Sequence, residues 1–243
     1  MKKTVFLVVM GLLLGSIACF SQDGAQSTQT QSTTIAAIVN GEEISIAQLN
    51  SNSGISQIFQ VLFSEVPQAF AQSLLSTPEG AAFLDRYQRD VLDQIINSRI
   101  MVQQAEAIGV SVDETELSEE VQSYLSQIMQ QNQMTLEDID AALQQQGSSL
   151  DEYEAQLEKS FKEQLMVQAL QRTVVADVTI DDNQVEEYYE KHQADYTDNE
   201  GTAKPLDEVA EEIRDNLLNA AKSSRWNEWF KEAKDSCEIT ILF

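Results

Sequence analysis

Residues 78–109 read PEGAAFLDRYQRDVLDQIINSRIMVQQAEAIG. Thr77 stands before a proline at the first helical position, where a missing N–H costs nothing because that donor has no partner inside the helix. Leu84, Val91, Ile95 and Val102 then recur at spacings that lay them along one face of a helix. Gly109 supplies the stop, since glycine enters the left-handed conformation that closes a helix without a Cβ clash. An uninterrupted helix of roughly thirty residues makes the fold mostly α.

Towards the C-terminus the same logic repeats. Three helix starts carry a capping box, in which a side-chain acceptor is answered three residues later: Thr135 with Asp138, Ser149 with Glu152, and Asp181 with Gln184. Gly147 is expected to end a helix over 136–146, and Leu150, Tyr153, Leu157 and Phe161 open the apolar stripe of the next. After Lys204-Pro205 a last helix carries Leu206, Val209, Ile213 and Leu217 on one face, extended by Trp226, Trp229, Phe230 and Ala233. Both tryptophans lie on this helix and read as core anchors.

The two ends of the body are different. Ile35 to Val39 is a short apolar run, and Asn40-Gly41 separates it from Glu43-Ile44-Ser45, the signature of a two-residue hairpin whose central positions take positive φ. Residues 237–243 alternate with period two and are rich in β-branched types. A lone hairpin is marginal in water, so the terminal strand is expected to pair with the N-terminal one. The fold class is therefore mostly α: a multi-helix body with a small β element joining its N- and C-terminal strands. Everything between these strands reads as helix, and the role of residues 50–76 is left open.

Ahead of the body, Lys2 and Lys3 precede an apolar run from Val5 to Ile17, closed by Ala18 and Cys19. The run is shorter than the roughly 20 residues a spanning helix needs and reads as a signal peptide over 1–18. Ser16-Ile17-Ala18 suits ordinary signal peptidase, while Cys19 is also where a lipoprotein would be acylated, although Ser16 stands where a lipobox usually has Leu. Both alternatives stay open, and both cut before Cys19. Residues 19–34 form a Ser/Thr/Gln-rich spacer, and 35–243 the body. If Cys19 is lipidated, Cys237 is a lone thiol; otherwise a bridge between the two is open.

Charge and chemistry exclude more than they assign. Loss of Lys2 and Lys3 takes the net charge from −25 to −27, which argues against nucleic acid or anionic lipid as a partner, since both are bound by clustered Lys and Arg. Membrane association is expected only through a lipid on Cys19. His192 is the single histidine and reads as a surface residue on an acidic helix. Residues 177–187 lack the glycine and ligand spacing of a calcium loop, and neither a phosphate-cradling glycine loop nor a Gly-x-Ser-x-Gly elbow occurs. No catalytic residue, metal or cofactor is assigned.

Several stretches together carry a family likeness. Ile38-Val39-Asn40-Gly41-Glu42-Glu43-Ile44, Val91 to Ile96 continuing through Met101 to Ala105, and Gly109 to Val112 resemble the N-terminal region of SurA/PrsA-type peptide-binding chaperones. Phe161 to Leu165 and Val178 to Glu190 are similar to the helices that precede the isomerase domain of that family, Lys204 to Val209 to its closing helix, and 237–243 to its closing strand. The family normally holds a parvulin prolyl isomerase between these last parts. Here only Thr197 to Lys204 lie between Tyr196 and Pro205, too few residues for that fold.

The resemblance implies a helical chaperone module, not an enzyme, that binds unfolded or nascent exported polypeptides without ATP. Its setting is extracytoplasmic: the periplasm or a lipid tether. A non-enzymatic lipoprotein that assists assembly of one folded partner is the alternative, and an enzyme using carboxylates a third reading. A peptide-binding surface needs exposed apolar side chains, and Met suits varied partners because its unbranched thioether adapts. The candidates are Phe59, Leu62, Phe63 and Phe70 in a nearly uncharged segment, with Met129 and Met134. Met101 and Met166 serve equally as core filler. The sequence leaves the oligomeric state open.

Overall fold

The computed structural model describes residues 35–145, 147–198 and 201–243, so the expected signal, spacer and Cys19 lie outside the described residues. The chain forms two compact units, one ending at Ile100 and regaining Ser236–Phe243, the other comprising Met101–Asp235.

The first unit is built on a three-stranded antiparallel sheet of β1 (Ile35–Val39), β2 (Glu42–Ser45) and β3 (Ile239–Ile241), in the order β2-β1-β3. Asn40 and Gly41 both take positive φ, +49° and +86°, which is the reason Asn-Gly makes this turn. Asn40 also fastens the third strand. Its N–H donates to the Glu238 carbonyl at 2.9 Å, and its side-chain oxygen accepts from the Glu238 N–H at 2.9 Å. Its amide group donates to Cys237 Sγ at 3.3 Å. The expected pairing of the two ends is therefore present, with Ile38 opposite Thr240 and Val39 opposite Ile239. The strand proper spans only Ile239–Ile241, shorter than the alternation over 237–243 suggests, while backbone bonds at Glu238 and Leu242 extend the pairing by one residue at each end.

Four helices complete this unit: α1 (Ile46–Ser53), α2 (Ile55–Ser64), α3 (Gln68–Ser76) and the first three quarters of α4 (Pro78–Ala107). Ser45 caps α1 by accepting from Gln48 N at 3.0 Å. Gly54, at φ +59°, separates α1 from α2, and Pro67 precedes α3. At the next corner a Cβ on Gly80 would stand 1.7 Å from the Leu74 carbonyl oxygen, so the α3–α4 approach requires glycine. Farther along α4, Leu92, Ile96 and Ile100 are fully buried, and the Tyr87 hydroxyl donates to the Ser53 carbonyl at 2.6 Å.

The second unit holds the end of α4 with α5 (Glu114–Asn132), α6 (Leu136–Gln144), α7 (Leu150–Val174), α8 (Asp182–His192), a 3-10 turn over Gln193–Asp195, and α9 (Leu206–Asp235). All three capping boxes form, Asp138, Glu152 and Gln184 each returning a side-chain bond to the cap backbone. The α5 start has a further cap that the sequence reading lacks: Asp113 accepts from the N–H of Thr115 and Glu116 at 2.8 and 3.1 Å. Helix α6 ends at Gln144, two residues before the expected Gln146. Gly147, at φ +81°, still closes it, donating to Gln144 O while Ser148 N reaches Leu143 O, each at 3.1 Å.

Two cores stabilise the second unit by removing apolar area from water. In one, Ala105, Met166 and Leu170 are buried, with Met101, Val102, Val174, Trp226 and Trp229 packed around them. The tryptophans stack at 5.0 Å and lie half-buried on this cluster, as anchors of α9. In the other, Val185 of α8 meets Val209 and Ile213 of α9, with Tyr188, Tyr189 and Tyr196 around them.

Candidate functional site

The segment between Ser45 and Pro78 contains a single charged residue, Glu65, in a chain of net charge −25. Helix α2 has a broad apolar arc, with Ile55, Ile58, Phe59 and Leu62 along its middle and Val61 and Phe63 at its two margins, opposite a polar side of Ser56, Gln57, Gln60 and Ser64. An apolar arc of that width is normally covered by the rest of the fold. Here only Leu62 is buried, at 8% exposure, and Phe59 is half-buried, while Val61 and Phe63 remain 54% and 72% exposed. On α3, Ala71 turns inward and Phe70 stands 58% exposed. The short link through Pro67 joins these helices into a hairpin, and the Gly80 corner sets its attachment to α4.

Leu62 is therefore the side chain that α2 buries, whereas Phe63 and Phe70 present apolar surface to solvent. Phe83, on α4, is a further exposed aromatic at 60%. It was legible in the helical period: it lies about 100° round the axis from Leu84, off the Leu84, Val91, Ile95 stripe that points inward.

Met129 and Met134 belong to the second unit, and helix closure explains their relation. Gln133 takes the left-handed conformation at φ +54°, and Met134 N donates to Met129 O at 3.0 Å. That six-to-one bond is the closure in which the residues at its two ends commonly make an apolar contact. Both methionines are half-buried. Met101 and Met166 are core residues.

The remaining chemistry is structural. His192 stacks on Tyr188 at 4.2 Å, with Nδ1 3.2 Å from Asp195. Among the described residues no group of three His, Cys, Asp or Glu is placed to hold a metal, and no helix is long and apolar enough to cross a membrane. The stretch between α8 and α9 closes on itself: Thr197 and Ala203 form an antiparallel bridge, and Lys204 N donates to Tyr196 O at 2.8 Å. Asp198 N donates to Thr202 O at 2.8 Å, and the Tyr189 hydroxyl donates to the Lys204 carbonyl.

Comparison with known proteins places these features in a lineage. The foldase protein PrsA of Clostridium kluyveri is 23% identical over 203 residues, covering 82% of this chain and 58% of its own length. The foldase protein PrsA of Clostridium perfringens is 21% identical over 196 residues, covering 80% and 53%. The chain thus spans a little over half the length of these relatives. A solved chain from a study of PEB4 and Cj1289, described as structurally related SurA-like chaperones of Campylobacter jejuni, aligns at TM-score 0.49 and 13% identity, covering 86% of this chain and 99% of that one. A family model described as the SurA-like N-terminal domain matches residues 1–171, well over half of the sequence, and the chain belongs to that family.

Proposed function

We propose that this protein is an extracytoplasmic, ATP-independent chaperone that holds unfolded secreted or outer-membrane polypeptides and does not catalyse prolyl isomerisation. The observation that carries the reading is the α2–α3 hairpin: Val61, Phe63 and Phe70 are more than half exposed in a stretch whose only charge is Glu65. Monomeric soluble proteins rarely expose contiguous apolar area without a use for it. A client chain with exposed aromatic and aliphatic side chains would bury them there, with Phe59, Phe63 and Phe70 as contacts and Leu62 as support. Met129 and Met134 offer a second adaptable apolar pair.

Family membership and the foldase names of the relatives support a role on polypeptides. The proposal that isomerase activity is lacking is supported by the eight residues from Thr197 to Lys204, with Thr197 bridged to Ala203, where the family resemblance expects a catalytic domain. Weak holding suits the task, because ordering a disordered client opposes the gross contact energy and leaves release to the client's own folding. The sequence pattern over 1–18, read as a signal peptide, and Cys19 support a location outside the cytoplasmic membrane, with or without a lipid tether. Crosslinking in intact cells followed by identification of the captured chains tests the reading. Many unfolded exported proteins are expected; a single folded partner would replace it with a dedicated assembly role, and catalysed isomerisation of a proline peptide by the purified chain would overturn the non-enzymatic part.

A further inference from the structure

The sheet of the first unit has two edges, and they differ. The β2 edge carries Glu42 and Glu43, runs directly into α1, and has Glu42 paired with Arg99 at 2.5 Å. Charge and an adjoining helix are the usual devices that keep an edge from recruiting another strand. The β3 edge differs in charge: α9 ends at Asp235, with three residues between, and Glu238 precedes it, but the strand itself is uncharged. Residues 239–243 carry no charged side chain, Ile241 and Leu242 are 56% and 45% exposed, and no strand among the described residues runs along the outer side of β3.

Register fixes which backbone groups face outward. Leu242 N donates to Ala36 O at 2.9 Å, Asn40 N donates to Glu238 O, and Thr240 is opposite Ile38. In an antiparallel ladder the bonded pairs alternate, so residues 238, 240 and 242 turn their groups towards β1. Ile239 and Ile241 turn their N–H and C=O away from it. This edge offers donors and acceptors at strand spacing beside apolar side chains.

We propose that the outer edge of β3 is a docking strand for an extended, apolar segment of a client polypeptide flanked by Lys or Arg, which adds to the sheet as a fourth strand. The backbone bonds give sequence-tolerant affinity and the exposed Ile241 and Leu242 select apolar side chains. Charge selects the flanks and the occupant: a second copy would bring another net −25 against this one, whereas a basic-flanked segment is attracted. The inference rests on the reading of the protein as a holder of polypeptides, and it adds a second mode of contact separate from α2–α3.

The test uses the full purified chain and a fluorescent ten-residue peptide of alternating valine and threonine with lysine at each end. Its counterpart is N-methylated on alternate residues, which removes outward backbone donation and keeps the side chains. Ile241→Pro removes one outward N–H while leaving the Leu242–Ala36 bond, a position edge strands tolerate. Anisotropy should show that N-methylation and Ile241→Pro each weaken binding by about tenfold, and that salt weakens the unmodified peptide. No binding of the unmodified peptide, or equal binding of both peptides, overturns the proposal; so does self-association that Ile241→Pro abolishes. If Ile241→Pro unfolds, the peptide pair on the unaltered chain decides. Suppression of client aggregation by Ile241→Pro is a separate readout: its persistence leaves the α2–α3 reading standing, and its absence in the unaltered chain removes that reading.

Discussion

Replacing a mid-helix glycine by alanine ordinarily stabilises a protein by about 0.5–1 kcal/mol, because glycine loses more backbone freedom on folding, and Gly80→Ala, in the first turn of α4, would be expected to gain less. At this position the sign should reverse. The added Cβ would stand 1.7 Å from Leu74 O, 2.5 Å from its carbonyl carbon and 2.9 Å from its Cα. These are backbone atoms, so no rotamer change relieves the clash, and α3 must move from α4 by about 2 Å to restore contact distance. Pro78, which lacks an N–H for the Leu74 carbonyl four residues earlier, is what opens this corner to so close an approach. Overpacking of this kind costs about 1–3 kcal/mol, against the smaller gain in helix propensity. Gly80→Ala should therefore lower the far-UV thermal midpoint and speed chymotryptic cleavage at Phe63 and Phe70. Trp226 and Trp229, in the other unit, should keep their emission. A variant as stable as the parent, or more so, would refute the steric reasoning.

Other consequences follow from the caps and the sheet. Ser149→Ala should cost about 1 kcal/mol in denaturant unfolding, since Ser149 accepts from Glu152 N at the start of α7. The backbone N–H groups of Glu116 and then Thr115 hold the Asp113 carboxyl below its ordinary range, and Thr135 does the same for Asp138. A depressed carboxylate contributes stability above its unfolded value and loses it as pH falls through the folded one, so helix loss should begin below about pH 4; Asp113→Asn with Asp138→Asn should flatten that acid limb in a circular dichroism titration. Truncation after Asp235 removes β3 and the Asn40 partners, leaving a two-stranded hairpin, and should lower the thermal midpoint by several degrees; an unchanged midpoint would show that the end pairing contributes nothing.

Much of this fold was legible because its signals are local. The Thr77-Pro78 start, the Gly109 and Gly147 stops and the three capping boxes each need only residues a turn apart. The pairing of β1 with β3 was inferred from two short strands that each needed a partner, although the part played by Asn40 in binding Glu238 is long-range and left no mark in the sequence. Residues 50–76 were legible as helix but not as three separate helices, for a physical reason. Helices of eight to ten residues, rich in Ser, Asn and Gln, depend on tertiary contacts such as Leu62, Ala71 and the Gly80 corner, not on intrinsic propensity. The candidate site was half visible: apolar content marked Phe59, Leu62, Phe63 and Phe70, but which of them faces solvent depends on what packs beside α2.

The central claim, that the α2–α3 hairpin holds clients, is tested most directly by light scattering of an unfolded outer-membrane protein mixed without ATP with the purified chain or with its Phe63→Ser, Phe70→Ser variant. These side chains are 72% and 58% exposed, so the variant should melt close to the parent temperature. The expected result is suppressed scattering with the parent and loss of most of that suppression with the equally folded variant; equal suppression by both, or none by the parent against any unfolded client, would contradict the claim.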